Sequence, residues 1–250
     1  DWSSDVCSSD LALLFDQDGM LFQRKDLPHK QIINEKGWVS HDPEEIYQNT
    51  VQVVKNLVEA SGISKESVKG IGISNQRETS LIWEKKTGKA LANAVVWQCA
   101  RAAEICRRVE KTGAAEMIRK KTGLALSPYF PASKLAWLKE NVEGAEALAK
   151  KHALCFGTID TWLVYRMTHG TSYKTDYSNA SRTQLFDIFE QKWDEEICQL
   201  FGLDAQDLAE VCDSDSCFGE TDLDGFFEKP VPIHSVLGDS HGALFGQGCL

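Results

Sequence analysis

Short β-branched runs alternate along this chain with stretches of helical period. Leu11–Phe15 and Met20–Lys25 flank Asp18-Gly19, a hairpin turn pair, and predict two paired strands. Gly37-Trp38-Val39-Ser40 reads as a loop. Asp42-Pro43-Glu44-Glu45 opens a helix, with Asp as N-cap, Pro at the first helical position and acids in the first turn. Ile46, Val51, Val54, Leu57 and Val58 continue it as an apolar stripe, and Gly62 follows its end. The run Val68–Ile73 predicts a buried strand, with further strands near Ser80–Glu84 and Asn93–Trp97 about a Thr87-Gly88 turn. Helices are expected over Ala100–Val109, Lys134–Asn141, Ile159–Met167 (ended by Gly170) and Trp193–Phe201. Leu154–Gly157 and Val231–Leu237 read as strands, and the acidic stretch Asp213–Asp224 as a solvated loop. Alternation of strands and helices implies an α/β domain.

Composition narrows the function classes. The chain has 250 residues, 42% of them hydrophobic, an ordinary share for a globular protein. A formal net charge of −10 argues against nucleic-acid phosphates or an anionic membrane surface as partners. No apolar run reaches the ~18 residues of a membrane span. Eight cysteines without a CxxC pair read as free thiols in a reducing cytoplasm, and Cys212 and Cys217 have no further residues at metal-ligand spacing. Residues 1–11 lack a β-branched run. They back-translate into a string resembling a common sequencing-library adapter, so they are expected to be a non-native tail on a gene fragment, poorly ordered over residues 1–10.

Candidate chemistry gathers at two strand ends. Ser74-Asn75-Gln76-Arg77-Glu78-Thr79 follows the Val68–Ile73 run, and ligands of open α/β sheets bind at such ends. Arg offers only donors and ionised Glu only acceptors, so Arg77 and Glu78 can orient neighbouring hydroxyls of a polyol. A structural ion pair satisfies the same residues equally well. Asp239 follows the Val231–Leu237 strand and precedes an apolar helical run, where pattern alone assigns it to a helix N-cap.

Six stretches carry a family resemblance. Asn75-Gln76-Arg77-Glu78-Thr79 is similar to the substrate motif of the FGGY carbohydrate kinases, and Thr87-Gly88-Lys89 through Asn93-Ala94-Val95-Val96-Trp97-Gln98 resembles their next strand pair. Tyr129-Phe130-Pro131-Ala132-Ser133-Lys134-Leu135-Ala136-Trp137-Leu138-Lys139-Glu140-Asn141 fits the family signature. Phe156-Gly157-Thr158-Ile159-Asp160-Thr161-Trp162-Leu163 and Thr175–Thr183 resemble the glycerol-phosphorylating branch, and Gly238-Asp239 with Ala243-Leu244-Phe245-Gly246-Gln247 resembles the catalytic segment.

The resemblance implies a ribonuclease-H-like α/β domain of the actin/hexokinase-like ATPase superfamily, a mixed central sheet flanked by helices. Residues 12–250 would be the N-terminal, substrate-binding domain, without the family's first strand and its Asp-Gly-Thr-Thr-type phosphate hairpin. A second domain would only begin near 239–250. The missing strand would leave Leu11–Phe15 and Lys69–Ile73 without ladder partners and the chain unstable. The implied activity is ATP- and Mg2+-dependent phosphorylation of glycerol in the cytoplasm, by a parent protein that can be a homo-oligomer, with this chain inactive alone. Arg77, Glu78, Trp97 and Tyr129 would form the polyol pocket, and Asp239 would be the general base. Ser240 stands where the branch usually carries a Gln that touches substrate, which leaves open a kinase of another small polyol or a pentulose. A non-catalytic carbohydrate-binding protein is the alternative of another class. Glu228-Lys229-Pro230 stands near the place of a basic allosteric loop, so no such regulation is expected.

Overall fold

The computed structural model describes residues 9–249; the rest of the expected tail, residues 1–8, lies outside them. Strands β1 (Ser9–Phe15) and β2 (Leu21–Pro28) form a hairpin, followed by β3 (Ile32–Ile33), β4 (Val39–His41) and helix α1 (Pro43–Ser61). Next come β5 (Ile71–Asn75), β6 (Ser80–Glu84) and β7 (Ala94–Val95), then helices α2 (Ala103–Glu110), α3 (Ala115–Thr122), α4 (Pro131–Asn141) and α5 (Ala145–Ala149). β8 (Leu154–Thr158) runs into α6 (Ile159–Met167), and β9 (Lys174–Asp176) into α7 (Tyr177–Ala180). The chain continues through β10 (Phe186–Asp187), β11 (Lys192–Trp193), α8 (Glu195–Leu200), β12 (Glu210–Cys212), β13 (Gly219–Thr221), β14 (Val231–Gly238) and α9 (Asp239–Gly246).

Two sheets position the site. One has the order β3-β4-β7-β6-β8, and the other β13-β14-β5. β6 is buried on both faces from Ser80 to Trp83. Because side chains alternate across a strand, Ile82 enters one apolar core with Phe156 and Leu135, while Leu81 and Trp83 enter a second with Trp162 and Ile233. β5 and β14 are parallel, with one irregularity between Ile233 and Ser235 and a regular register from there to Asn75 opposite Gly238. That register brings both candidate strand ends to one place.

Helix α1 forms as its caps dictate. Asp42 accepts the Glu44 N–H at 2.9 Å, Pro43 opens the first turn, and Gly62 closes the helix at φ 72°. Its Val53 and Leu57 pack on Ala12 of the hairpin, and its Ile46, Val51 and Val58 join the β5–β14 side. Among the described residues no helix is long and apolar enough to cross a membrane. The described cysteines are free thiols, as expected.

Several local expectations are corrected. Ser9 and Asp10 are not part of a disordered tail: they pair with Pro28 and Leu27 at the start of β1. β1 pairs with β2, as the Asp18-Gly19 turn predicts, and β5 has β14 as a ladder partner, so neither strand is left unpaired. Val39–His41 is a fully buried strand rather than a loop, because β4 lies between β3 and β7. Trp193 belongs to β11, and the following helix starts after Asp194, whose carboxylate caps it through the Ile197 N–H. The acidic stretch is more than a solvated loop: it contains β13 and buries Phe218, Thr221 and Leu223.

Candidate active site

Arg77 lies two residues beyond β5, beside the start of α9. Its Nε donates to Asp239 Oδ1 at 3.1 Å and its Nη2 to Ser240 Oγ at 2.8 Å. Its Nη1 lies 3.1 Å from His241 Nδ1. A guanidinium can only donate, so Nδ1 is the acceptor and the His241 ring is neutral with its proton on Nε2. Burial, then the nearby Arg77 charge, holds the His241 pKa below the usual imidazole value. Gly238 is required here by space: a Cβ on it would lie 2.4 Å from Arg77 Cδ. Asp239 is not the N-cap that pattern suggests. Gly238 takes that position, and the Asp239 side chain, in the first helical turn, is 47% exposed at the rim. Its Oδ1 also accepts the Ser240 N–H at 2.7 Å.

Glu78 faces the other way. It is a left-handed residue at φ 65°, held by a tight turn in which Thr79 N donates to Arg77 O at 2.8 Å. This turn sends the Glu78 carboxylate into the protein, where Arg182 Nε, just beyond α7, donates to Oε1 at 2.7 Å. The Glu78 side chain is 4% exposed and Arg182 28%. Lys134 of α4 is fully buried behind the same region, and its Nζ donates to the Tyr129 carbonyl. Desolvation pulls the Lys134 ammonium down to about 7, opposed by the Glu78 charge. Tyr129 meets Trp97 edge to face at a centroid distance of 5.7 Å. Burial and then Glu78 raise the Tyr129 phenol above its ordinary value, and both Arg182 and Arg77 act against them. The Trp97 N–H donates to Thr79 Oγ1 at 3.3 Å, which ties the aromatic wall to the Arg77-Glu78 turn.

The six residues singled out in the sequence therefore fall into two neighbouring groups. Arg77, Asp239 and Ser240 are hydrogen-bonded together. Glu78, Trp97 and Tyr129 line the adjoining side, and the adjacency of Arg77 and Glu78 joins the groups. The arrangement offers donors, acceptors, a flat apolar wall and one accessible carboxylate, the complement of a small polyhydroxylated molecule. Sequence reasoning missed Arg182 and Lys134. Arg182 and Lys134 stood inside resembling stretches, but as isolated cations they carried no local sign of their partners.

Comparison with known proteins gives the family and the fold. The model of the N-terminal domain of the FGGY family of carbohydrate kinases matches residues 7–246. Glycerol kinase 1 of Thermotoga maritima is 48% identical over 237 residues, covering 95% of this chain and 48% of the relative. A Thermoanaerobacter glycerol kinase is 46% identical over 242 residues, 97% of this chain and 48% of the relative. The chain thus spans about half the length of the curated relatives it matches. The crystal structure of Plasmodium falciparum glycerol kinase with ADP superposes with a TM-score of 0.89 at 33% identity, covering 96% of this chain and 48% of that one. A xylulose kinase from Brucella ovis, at 20% identity, shares the fold with a TM-score of 0.83. The mixed α/β fold is the actin/hexokinase-like one that the motifs implied, and the chain belongs to the FGGY family of carbohydrate kinases, matching its N-terminal domain.

Proposed function

We propose that the protein containing this chain is a glycerol kinase, which phosphorylates a terminal hydroxyl of glycerol with ATP as donor and Mg2+ as its counter-ion. The observation that carries the reading is the meeting of Arg77 and Asp239 from two parallel strand ends, beside the Glu78, Trp97 and Tyr129 wall. Each Arg77 Nη keeps one N–H beyond its bonds to Ser240 and His241, available to substrate hydroxyls. Glu78 accepts from a hydroxyl with the oxygen lone pairs that Arg182 leaves, and Trp97 and Tyr129 cover the carbon skeleton. Asp239 orients the attacking hydroxyl and takes its proton. Phosphoryl-transfer transition states are largely dissociative, so this carboxylate works chiefly by positioning.

ATP supplies the phosphoryl group when bound. Among the described residues no three His, Cys, Asp or Glu side chains converge as a metal site. A Mg2+ ion carried by ATP would draw its ligands chiefly from phosphate oxygens and water, and needs no such cluster. Residues 12–250 act as the substrate-binding domain of a cytoplasmic enzyme in this reading, with a second domain beginning near 239–250.

A second reading has its own observation. Ser240 and His241 occupy two Arg77 nitrogens, which could favour another small polyol or a pentulose over glycerol. Turnover of the full-length protein with ATP decides between them. Glycerol 3-phosphate should form, at a kcat/KM well above that for D-xylulose or erythritol. A higher value for either competitor, or no ATP-dependent product from any of the three, overturns the proposal.

A further inference from the structure

Behind the site lies a buried polar network. Asn75 and Asn179 form a reciprocal amide pair: Asn75 Nδ2 donates to Asn179 Oδ1 at 2.9 Å and Asn179 Nδ2 to Asn75 Oδ1 at 3.1 Å. Two carboxylates flank the pair. Asp160 accepts from Thr158 at 2.5 Å, from Thr175 at 2.6 Å and from Asn75 at 3.4 Å. Asp176 accepts from Asn179 Nδ2 at 2.7 Å, from Ser214 Oγ at 2.7 Å, and from the Ser178 and Asn179 N–H groups at 3.0 Å each. Asp160 and Asp176 are completely buried, and Asn179 is 1% exposed. Neither carboxylate has a cationic partner among the described residues. Burying such groups costs free energy that an apolar contact would not. What directional hydrogen bonds add is register, since they hold only at one setting of the segments they join.

The segments joined are those that carry the site. Asn75 ends β5, two residues before Arg77 and three before Glu78. Asn179 lies in α7, three residues before Arg182. Ser178, its neighbour, accepts the Gly238 N–H at 2.7 Å, one residue before Asp239. Both ion pairs of the site, Arg77–Asp239 and Arg182–Glu78, therefore span segments whose relative position this network sets.

We infer that Asn75 and Asn179, seated on Asp160 and Asp176, are positioning residues that hold the three site-bearing segments in register and thereby hold both arginine–carboxylate pairs in place. The consequence for turnover rests on the kinase reading above; the hydrogen bonds themselves do not. The test uses the full-length protein that contains this chain, labelled with 15N-arginine. Solvent exchange of the Arg77 and Arg182 Nε–H groups is measured at one pH and temperature, beside a thermal melt.

Asn75→Ala and Asn179→Ala should each accelerate exchange at both arginines by roughly tenfold, the order of one net hydrogen bond. Ile118→Val, a core truncation away from the network, should leave both rates unchanged. Acceleration of less than about threefold at either arginine, in a variant with a cooperative melt, overturns the inference. Asn75→Ser and Asn179→Ser, which stay polar, decide by the same criterion if an alanine variant does not fold. Under turnover with glycerol, the asparagine variants should lower kcat and the Ile118 variant should not. If the unaltered protein gives no glycerol 3-phosphate, the kinase reading fails while the exchange rates still decide the positioning role.

Discussion

Arg77 and Glu78 are neighbours in the chain, yet their charges are answered in different surroundings. The Arg77 side chain is 12% exposed and meets Asp239 at the rim, 47% exposed. The Glu78 side chain is 4% exposed and meets Arg182 inside, with the buried Lys134 behind. A rim pair is screened by water and contributes little to stability, so Asp239 can exchange partners without much cost. A desolvated pair resists separation, because either member left alone is an uncompensated buried charge. The same dipeptide thus supplies one arm fit for chemistry and one fit for architecture.

The sharpest way to separate the arms is Asp239→Asn in the full-length protein. Loss of the base should lower kcat by roughly 10²–10⁴-fold with a small change in glycerol KM and little change in melting temperature. A variant that keeps more than about half of its turnover would break the assignment. Arg182→Ala strikes the other arm. It should lower the unfolding free energy by about 2–3 kcal/mol in a urea titration, because Glu78 loses its closest cation. If the urea midpoint does not move, the Glu78–Arg182 pair is no more structural than the rim pair.

Arg77→Ala tests whether the rim arm also binds. Losing a charged hydrogen bond to a substrate hydroxyl is worth about 1.5–3 kcal/mol, so glycerol KM should rise by an order of magnitude or more. An unchanged KM would make Arg77 only a partner of Asp239. The smallest effect concerns the network beneath both arms. Desolvation raises the Asp160 carboxyl to about 6, against the hydrogen bonds of Thr158 and Thr175 and aided by the Asp176 charge. Its folded value lies above the unfolded one, so folding takes up a proton. The stability from this group is complete below about pH 4 and is lost as pH rises through 6. Asp160→Asn should therefore remove on the order of 1 kcal/mol of the stability difference between pH 5 and 7. An identical pH profile in both proteins would place the titration elsewhere.

Much of this was legible in the sequence where the signal is local. The Asp42 cap, Pro43 and Gly62 bound α1, and Ile159–Met167 forms the helix that its pattern predicts. Arg77, Glu78 and Asp239 each follow a strand-like run, but it was the family resemblance that gave them their roles. What remained hidden depends on partners far along the chain. Arg182 is 104 residues from Glu78, and Asn179 is equally far from Asn75. No periodicity announces either meeting. β4 was missed for a related reason: three residues buried on every side, a Ser and a His among them, show none of the alternation that marks a half-exposed strand.

The left-handed backbone at Glu78 bears on any attempt to make this protein more robust. A side chain at φ 65° is disfavoured by about 1 kcal/mol or more, and glycine would relieve it. A stability screen scoring backbone comfort alone would rank Glu78→Gly as an improvement. The substitution would also delete the carboxylate that the twist aims inward, leaving Arg182 without its acceptor. Here the conformational misfit is the means of delivery, and an optimiser blind to it would trade a buried ion pair for a calmer chain.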